Sequence, residues 1–169
     1  MTKTYTIPKN KHYCFHLPRF HFNTKDIKLK FKFKSSCRYS ITGSDSLDIN
    51  KLSGLSFGLH HTNSFRIGWR YVPISDKIEL LHYFYNNEQR YFKIIGFCNI
   101  DETTTIDIHL NRTCNSISTY IKGDERFSYF DFEDVPKFGY YLFPYFGGNK
   151  LAPHKMNIEL NINPRTWGY

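Results

Sequence analysis

The chain has 169 residues, 22% of them charged, with a formal net charge of +8 and 40% apolar residues. This is the length of one domain, and an apolar share this close to that of ordinary globular chains excludes wholesale disorder. Sixteen Phe, 13 Tyr and 16 Ile stand against two Val and one Ala, which weighs against a large helical domain and favours pleated sheet. The same bias toward Ile, Lys, Asn, Tyr and Phe is that of A+T-rich codons and points to an A+T-rich genome.

The charge is concentrated at the start. Residues 1–38 carry ten Lys or Arg and one acid, Asp26, whereas the other 131 residues carry 13 bases and 14 acids. Within this segment Ile27–Lys34 alternates strictly. A strand of period two buries Ile27, Leu29, Phe31 and Phe33 and sends Lys28, Lys30, Lys32 and Lys34 to the other face. Four ammonium groups about 7 Å apart repel, so that face is wet or lies opposite acids. Two readings follow: a lysine-guarded edge strand, or a stripe that meets a polyanion or an acidic subunit. Nucleic acid is disfavoured, because the aromatics lie on the face opposite the bases.

Strand-like stretches then recur every 10–15 residues: Arg38–Ile41, Leu55–His61, Ser64–Val72, Ile78–Tyr85, Arg90–Cys98, Thr103–Leu110, Asn115–Ile121, Phe127–Phe132, Gly139–Phe146 and His154–Ile162. Asn86–Gln89 reads as a tight hairpin loop, and Asp45–Leu55 holds the one plausible helical turn. The expectation is an all-β antiparallel sandwich of jelly-roll type with about ten to twelve strands, spanning 1–163, followed by a short tail, 164–169.

Motifs of familiar chemistry are missing. There is no apolar run of membrane length, no signal-peptide core at Met1–Tyr5, no phosphate loop and no paired Cys/His zinc spacing. The expectation is synthesis in the cytoplasm without export by the usual route. Cys14, Cys37, Cys98 and Cys114 read as reduced and mostly buried thiols, with Cys14 and Cys37 open to moderate exposure. No cofactor and no metal are expected, the His60/His61 pair having no carboxylate near it in sequence.

Two stretches look special, Gly54–Tyr71 and Gly139–Ile158. They resemble signature stretches of small, mostly uncharacterised β-jelly-roll proteins of gut bacteria and their tailed phages. More distantly, the aromatic strand, the Gly147-Gly148 turn and the last alternating strand look like concanavalin-like sandwiches. The resemblance implies the fold but selects no chemistry, since such sandwiches include lectins, virion proteins, glycosidases and lyases. Flat aromatic faces with planar hydrogen-bonding groups suit sugars. On that ground Arg66, Trp69, Arg70, His82, Tyr83, Tyr85, Asn149 and His154 are candidate contacts for a glycan or a partner. The bland reading of the Tyr140–Phe146 aromatics is core packing, and of His154 a turn-holding hydrogen bond.

Glycosidases of this fold need two or three acids alternating on one strand. The nearest match, Asp131-Phe132-Glu133-Asp134, runs straight into Pro136. Jelly-roll lyases use Tyr and His with Arg and an amide against a uronate. His82, Tyr83, Tyr85, Arg66 and Arg70 could form that set, but the Gln-x-His and Arg-x-Glu-x-Arg motifs are missing. The expectation is therefore a non-catalytic structural or binding sandwich. It would be a phage virion-associated protein (decoration, tail or fibre-associated) that contacts other protein subunits, with surface polysaccharide as a second, optional contact. The alternatives are a glycan-active lyase or glycosidase, and an intracellular polyanion-binding module.

Overall fold

A computed structural model describes residues 1–123 and 127–166. Twelve strands form two six-stranded antiparallel sheets. The first sheet runs β1 (Lys3–Ile7), β12 (Met156–Thr166), β3 (Thr24–Phe33), β8 (Thr104–Asn111), β9 (Ser116–Ile121), β10 (Phe127–Asp131). The second runs β2 (Phe20–Phe22), β11 (Phe138–Leu142), β4 (Asn50–Ser56), β5 (Ser64–Val72), β6 (Lys77–Asn86), β7 (Gln89–Asn99). The sheets pack face to face as a jelly-roll sandwich, and helix is confined to three 3₁₀ turns. None of them is long and apolar enough to cross a membrane.

Period two governs which side chains meet between the sheets. Ile27, Leu29, Phe31 and Phe33 of β3 face Phe65, Ile67 and Trp69 of β5 and Ile78 and Leu80 of β6, all essentially buried. The Phe33 and Trp69 rings lie 4.9 Å apart, and Phe146 and Tyr39 close around the indole. Each such large side chain contributes roughly 1.5–3 kcal/mol by leaving water.

Several expectations shift. β3 is an interior strand between β12 and β8, so the guarded-edge reading fails. Its lysines face acids on both neighbours: Lys28 pairs with Asp107, Lys32 with Glu159, and Lys34 with Asp101 and Glu159. Lys30 lies exposed between Asn161 and Thr105. Arg38–Ile41 is not a strand, because Tyr39 turns into the core and its hydroxyl accepts from the Asn50 side chain. Residues 57–63 form a loop and not the end of a strand, while β1 and β2 add two strands to the basic segment ahead of the one expected at Ile27–Lys34. The last strand continues through Pro164–Thr166 along β3, and Trp167 and Tyr169 lie outside the described residues. Cys14 and Cys37 are buried and the exposed thiol is Cys114.

Candidate functional site

The outer face of the second sheet carries a groove of about 930 Å³. The sequence dictates its shape row by row. Across the strands one outward row reads Phe20, Tyr140, Ser56, Ser64, Tyr85, Arg90. The next reads Leu142, Gly54, Arg66, Tyr83, Phe92, and a third Lys51, Gly68, Leu81, Ile94. Small residues on β4 and β5 thus lie between tall aromatic walls on β11 and β6, and the sheet sinks in the middle. Gly54 cannot be larger: a Cβ there would stand 1.9 Å from the Phe65 carbonyl oxygen.

The loops at either side are tied down. Ser64 Oγ donates to the His60 carbonyl and Ser56 Oγ to that of Gly58, which fixes the loop that lifts His60 beside Tyr140. On the opposite side Asp48 accepts from the backbone N–H groups of Gly148 and Asn149, each at 3.2 Å. Gly147 adopts φ of +69°, which favours glycine, and its N–H donates to the Asn50 side chain.

Two cations define the floor. Lys51 and Arg66 are each 8% exposed, and neither has a carboxylate partner among the described residues. Lys51 Nζ donates to the Gly147 carbonyl at 3.1 Å and stands 4.8 Å from the Tyr83 ring centre. Arg66 reaches the His60 carbonyl at 3.5 Å, lies 5.9 Å from the same ring, and leaves its Nε buried without a partner. Burial, with the Arg66 charge second, pulls the Lys51 ammonium down to about 8. Burial also lowers Arg66, against the pull of the surrounding tyrosines. His60 Nδ1 lies 3.2 Å from the Tyr140 hydroxyl, and burial and the Arg66 charge lower the imidazole, favouring its neutral form. The Tyr83 phenol is pushed up to about 12, chiefly by burial and by its contact with the Tyr85 hydroxyl.

Of the residues singled out from sequence, Arg66, Tyr83, Tyr85 and Asn149 line this groove. Trp69 does not: it is fully buried between the sheets, since odd positions of β5 face inward. His82 is also interior. It shares the inward face with Ile78, Leu80 and Phe84, and its Nε2 lies 2.6 Å from Thr119 Oγ1. Arg70 shares the Arg66 face but is held by Glu79 and the Leu47 carbonyl. His154 holds the Ser36 carbonyl at 2.9 Å, outside the groove. Lys28, Lys30, Lys32 and Lys34 occupy the outer face of the other sheet. Sequence reading missed Lys51, Asp48 and Arg90 as groove residues, and gave His60 no role. A lysine flanked by Asn50, Leu52 and Ser53, in a stretch read as a helical turn, was the available signal.

No protein-family model and no curated protein sequence matches the chain. Solved structures show what the fold is similar to. A polysaccharide lyase family 18 structure, aly-SJ02 r-CATD, superposes with a TM-score of 0.57 at 9% identity, over 98% of this chain and 88% of that one. Alginate lyase A1-II′ of polysaccharide lyase family 7 gives 0.52 at 9% identity, over 89% and 66%. The Bacillus licheniformis β-glucanase gives 0.50 at 14%, over 99% and 78%. At such identities the likeness establishes the concanavalin-like jelly-roll fold. The expectation of a non-catalytic protein is corrected on the same finding: the similar sandwiches are mostly glycan-cleaving enzymes, so the fold does not speak against catalysis.

Proposed function

We propose that the groove binds an anionic polysaccharide and cleaves it by β-elimination, with a uronate carboxylate seated on Arg66 and Lys51. The observation that carries this is the pair of buried cations without a carboxylate partner in a groove lined by aromatic rings. A buried unpaired charge is costly, and an arriving carboxylate offsets that cost for both groups.

The chemistry favours a lyase over a hydrolase. Glycoside hydrolysis ordinarily needs two carboxyl groups flanking the bond. Asp48 is the one carboxylate among the described groove-lining residues, and it is committed to Gly148 and Asn149. The Asp131–Asp134 run lies elsewhere, with Glu133 bonded to Asn87.

Elimination needs three groups: a cation that neutralises the carboxylate and so acidifies the adjacent C–H, a base, and an acid. Arg66 and Lys51 are the cations. With the Nδ1–H of His60 donated to the Tyr140 oxygen, His60 Nε2 is free to take the proton α to the carboxylate. The released electron pair forms the C=C bond as the glycosidic C–O bond at the β carbon breaks. The departing oxygen takes the Tyr140 proton, and His60 returns its Nδ1 proton to the phenolate across the 3.2 Å contact. No water is consumed, and the new end is an unsaturated uronate.

The test is incubation with polymannuronate, polyguluronate and polygalacturonate, with a neutral β-glucan as control, following the ultraviolet absorbance of the unsaturated product. The reading expects absorbance from a uronate polymer, lost in Arg66→Ala and in Tyr140→Phe. New reducing ends from β-glucan without absorbance would instead establish a hydrolase. Retention by uronate gels without any product would establish a binding module.

A further inference from the structure

At the β2 edge of the groove three phenylalanines stand in the open. Phe20 and Phe22 on β2 and Phe138 on β11 alternate with buried His21 and Gly139, so all three project to the groove face. They are 65%, 60% and 60% exposed. Phe138 pairs with Phe22 across the strands, and its ring lies 6.0 Å from that of Phe20, 9° from parallel. Clustered exposed aromatics on a soluble fold mark a binding surface. The fold does not need them there, because the inner face of the same strands is already filled by His21, Tyr141 and Phe57.

We propose that Phe20, Phe22 and Phe138 form a stacking shelf for sugar rings of the same polysaccharide, beyond the one seated on Arg66. This rests on the groove being a glycan groove. The occupant follows from continuity. Phe20 lines the groove and is the register neighbour of Tyr140, one strand spacing of about 4.8 Å away. A chain that leaves the His60–Tyr140 pair toward β2 therefore runs directly onto the rings. Their near-parallel faces match the flat C–H face of a pyranose, and being uncharged they discriminate by shape and not by carboxylate. A second copy of the chain is the poorer occupant: β2 has three residues, too few for a stable strand-to-strand ladder. The shelf makes the protein a reader of polymer length, with the distal sugars held by stacking while the charged pair holds the reacting one.

The experiment compares wild type with the double variant Phe22→Ala/Phe138→Ala, which leaves the groove-lining Phe20 in place, in two readouts. The first is retardation in native gels containing alginate, polygalacturonate or neutral β-glucan. The second is cleavage of polymer against short oligouronates. Retardation by polymer is expected to weaken roughly five- to tenfold, with KM for polymer rising equally and kcat and oligouronate cleavage unchanged. Phe138→Tyr, which keeps a ring, is expected to retain wild-type retardation. Equal retardation and equal polymer KM in wild type and double variant would overturn the shelf, and so would a shift in sedimentation from dimer to monomer. A wild type that is retarded but makes no unsaturated product sinks the lyase reading and leaves the shelf to be decided by the retardation ratio.

Discussion

Lys51 and Arg66 share one aromatic ring, that of Tyr83, at 4.8 Å and 5.9 Å from its centre. The ring's negative face partly compensates two cations that find no carboxylate, and the pair is otherwise supported by backbone carbonyls. On the reading proposed above, stability is given up here for an anion site.

Arg66→Met tests that trade directly. The substitution removes a charge from a site with no counter-ion, so the thermal midpoint is expected to hold or rise. Uronate cleavage, measured as kcat/KM, is expected to fall roughly a hundredfold or more, the scale of a lost buried charge pair. A lower midpoint with unchanged cleavage would assign Arg66 a purely structural role.

Lys51 gives the groove a pH signature. Its folded value near 8 lies below its ordinary 10.5, so between these two values the unfolded chain holds more protons than the folded one. Stability contributed by this group therefore rises as pH goes from 8 to 10.5, by on the order of 3 kcal/mol, while below pH 8 the desolvation cost is fully present. Urea midpoints measured across that window should climb in wild type and stay flatter in Lys51→Met. Binding of a uronate should draw a proton onto Lys51 at pH 8–9, read by calorimetry in buffers of different ionisation enthalpy.

Much of this was legible in the sequence, and what was not has physical reasons. The alternation of Ile27–Lys34, strict there and looser in Ser64–Val72 and Ile78–Tyr85, gives β3, β5 and β6, because period two is imposed by the pleat. The same alternation already separated His82 from Tyr83 and Tyr85, and Trp69 from Arg66. Grouping them as one site ran against the pleat. The turn at Asn87-Glu88, both with positive φ, is the kind a two-residue hairpin demands. Lys51 and His60 were not readable as a site, because what places them is cross-strand register and loop hydrogen bonds spanning up to 97 residues. The edge or interior position of β3 is likewise a property of the order β12-β3-β8, which no local pattern encodes.

Two interior histidines set the acid limit. Burial lowers His82 to about 3 and His21 to about 4 from an ordinary 6.5. Below pH 6.5 the unfolded chain takes up protons that the folded one refuses, so stability falls with pH down to those lowered values. At pH 5 each histidine accounts for about 2 kcal/mol of the loss. Urea midpoints should therefore drop between pH 7 and 5, before carboxylates protonate. The double variant His82→Phe/Thr119→Val, which also removes the Thr119 hydroxyl paired with His82, should halve the slope.

The lysine row on β3 provides the sharpest separation between charge and site. Lys28, Lys32 and Lys34 face Asp107, Asp101 and Glu159 across exposed distances of 3.2–3.9 Å, and each such pair is worth about 0.2–1 kcal/mol. They lie on the outer face of the sheet opposite the one that carries Lys51 and Arg66. Replacing Lys28, Lys30, Lys32 and Lys34 together by Gln removes half of the net charge of +8 but leaves the groove's cations in place. Uronate cleavage at 0.15 M salt is expected to change less than about threefold, because the Debye length there is about 8 Å and screens charges on the far sheet. Non-specific retention on a polyphosphate or heparin column should fall, since that follows net charge. Loss of cleavage in this variant, with the fold intact by circular dichroism, would move the anion site from the groove to the lysine row.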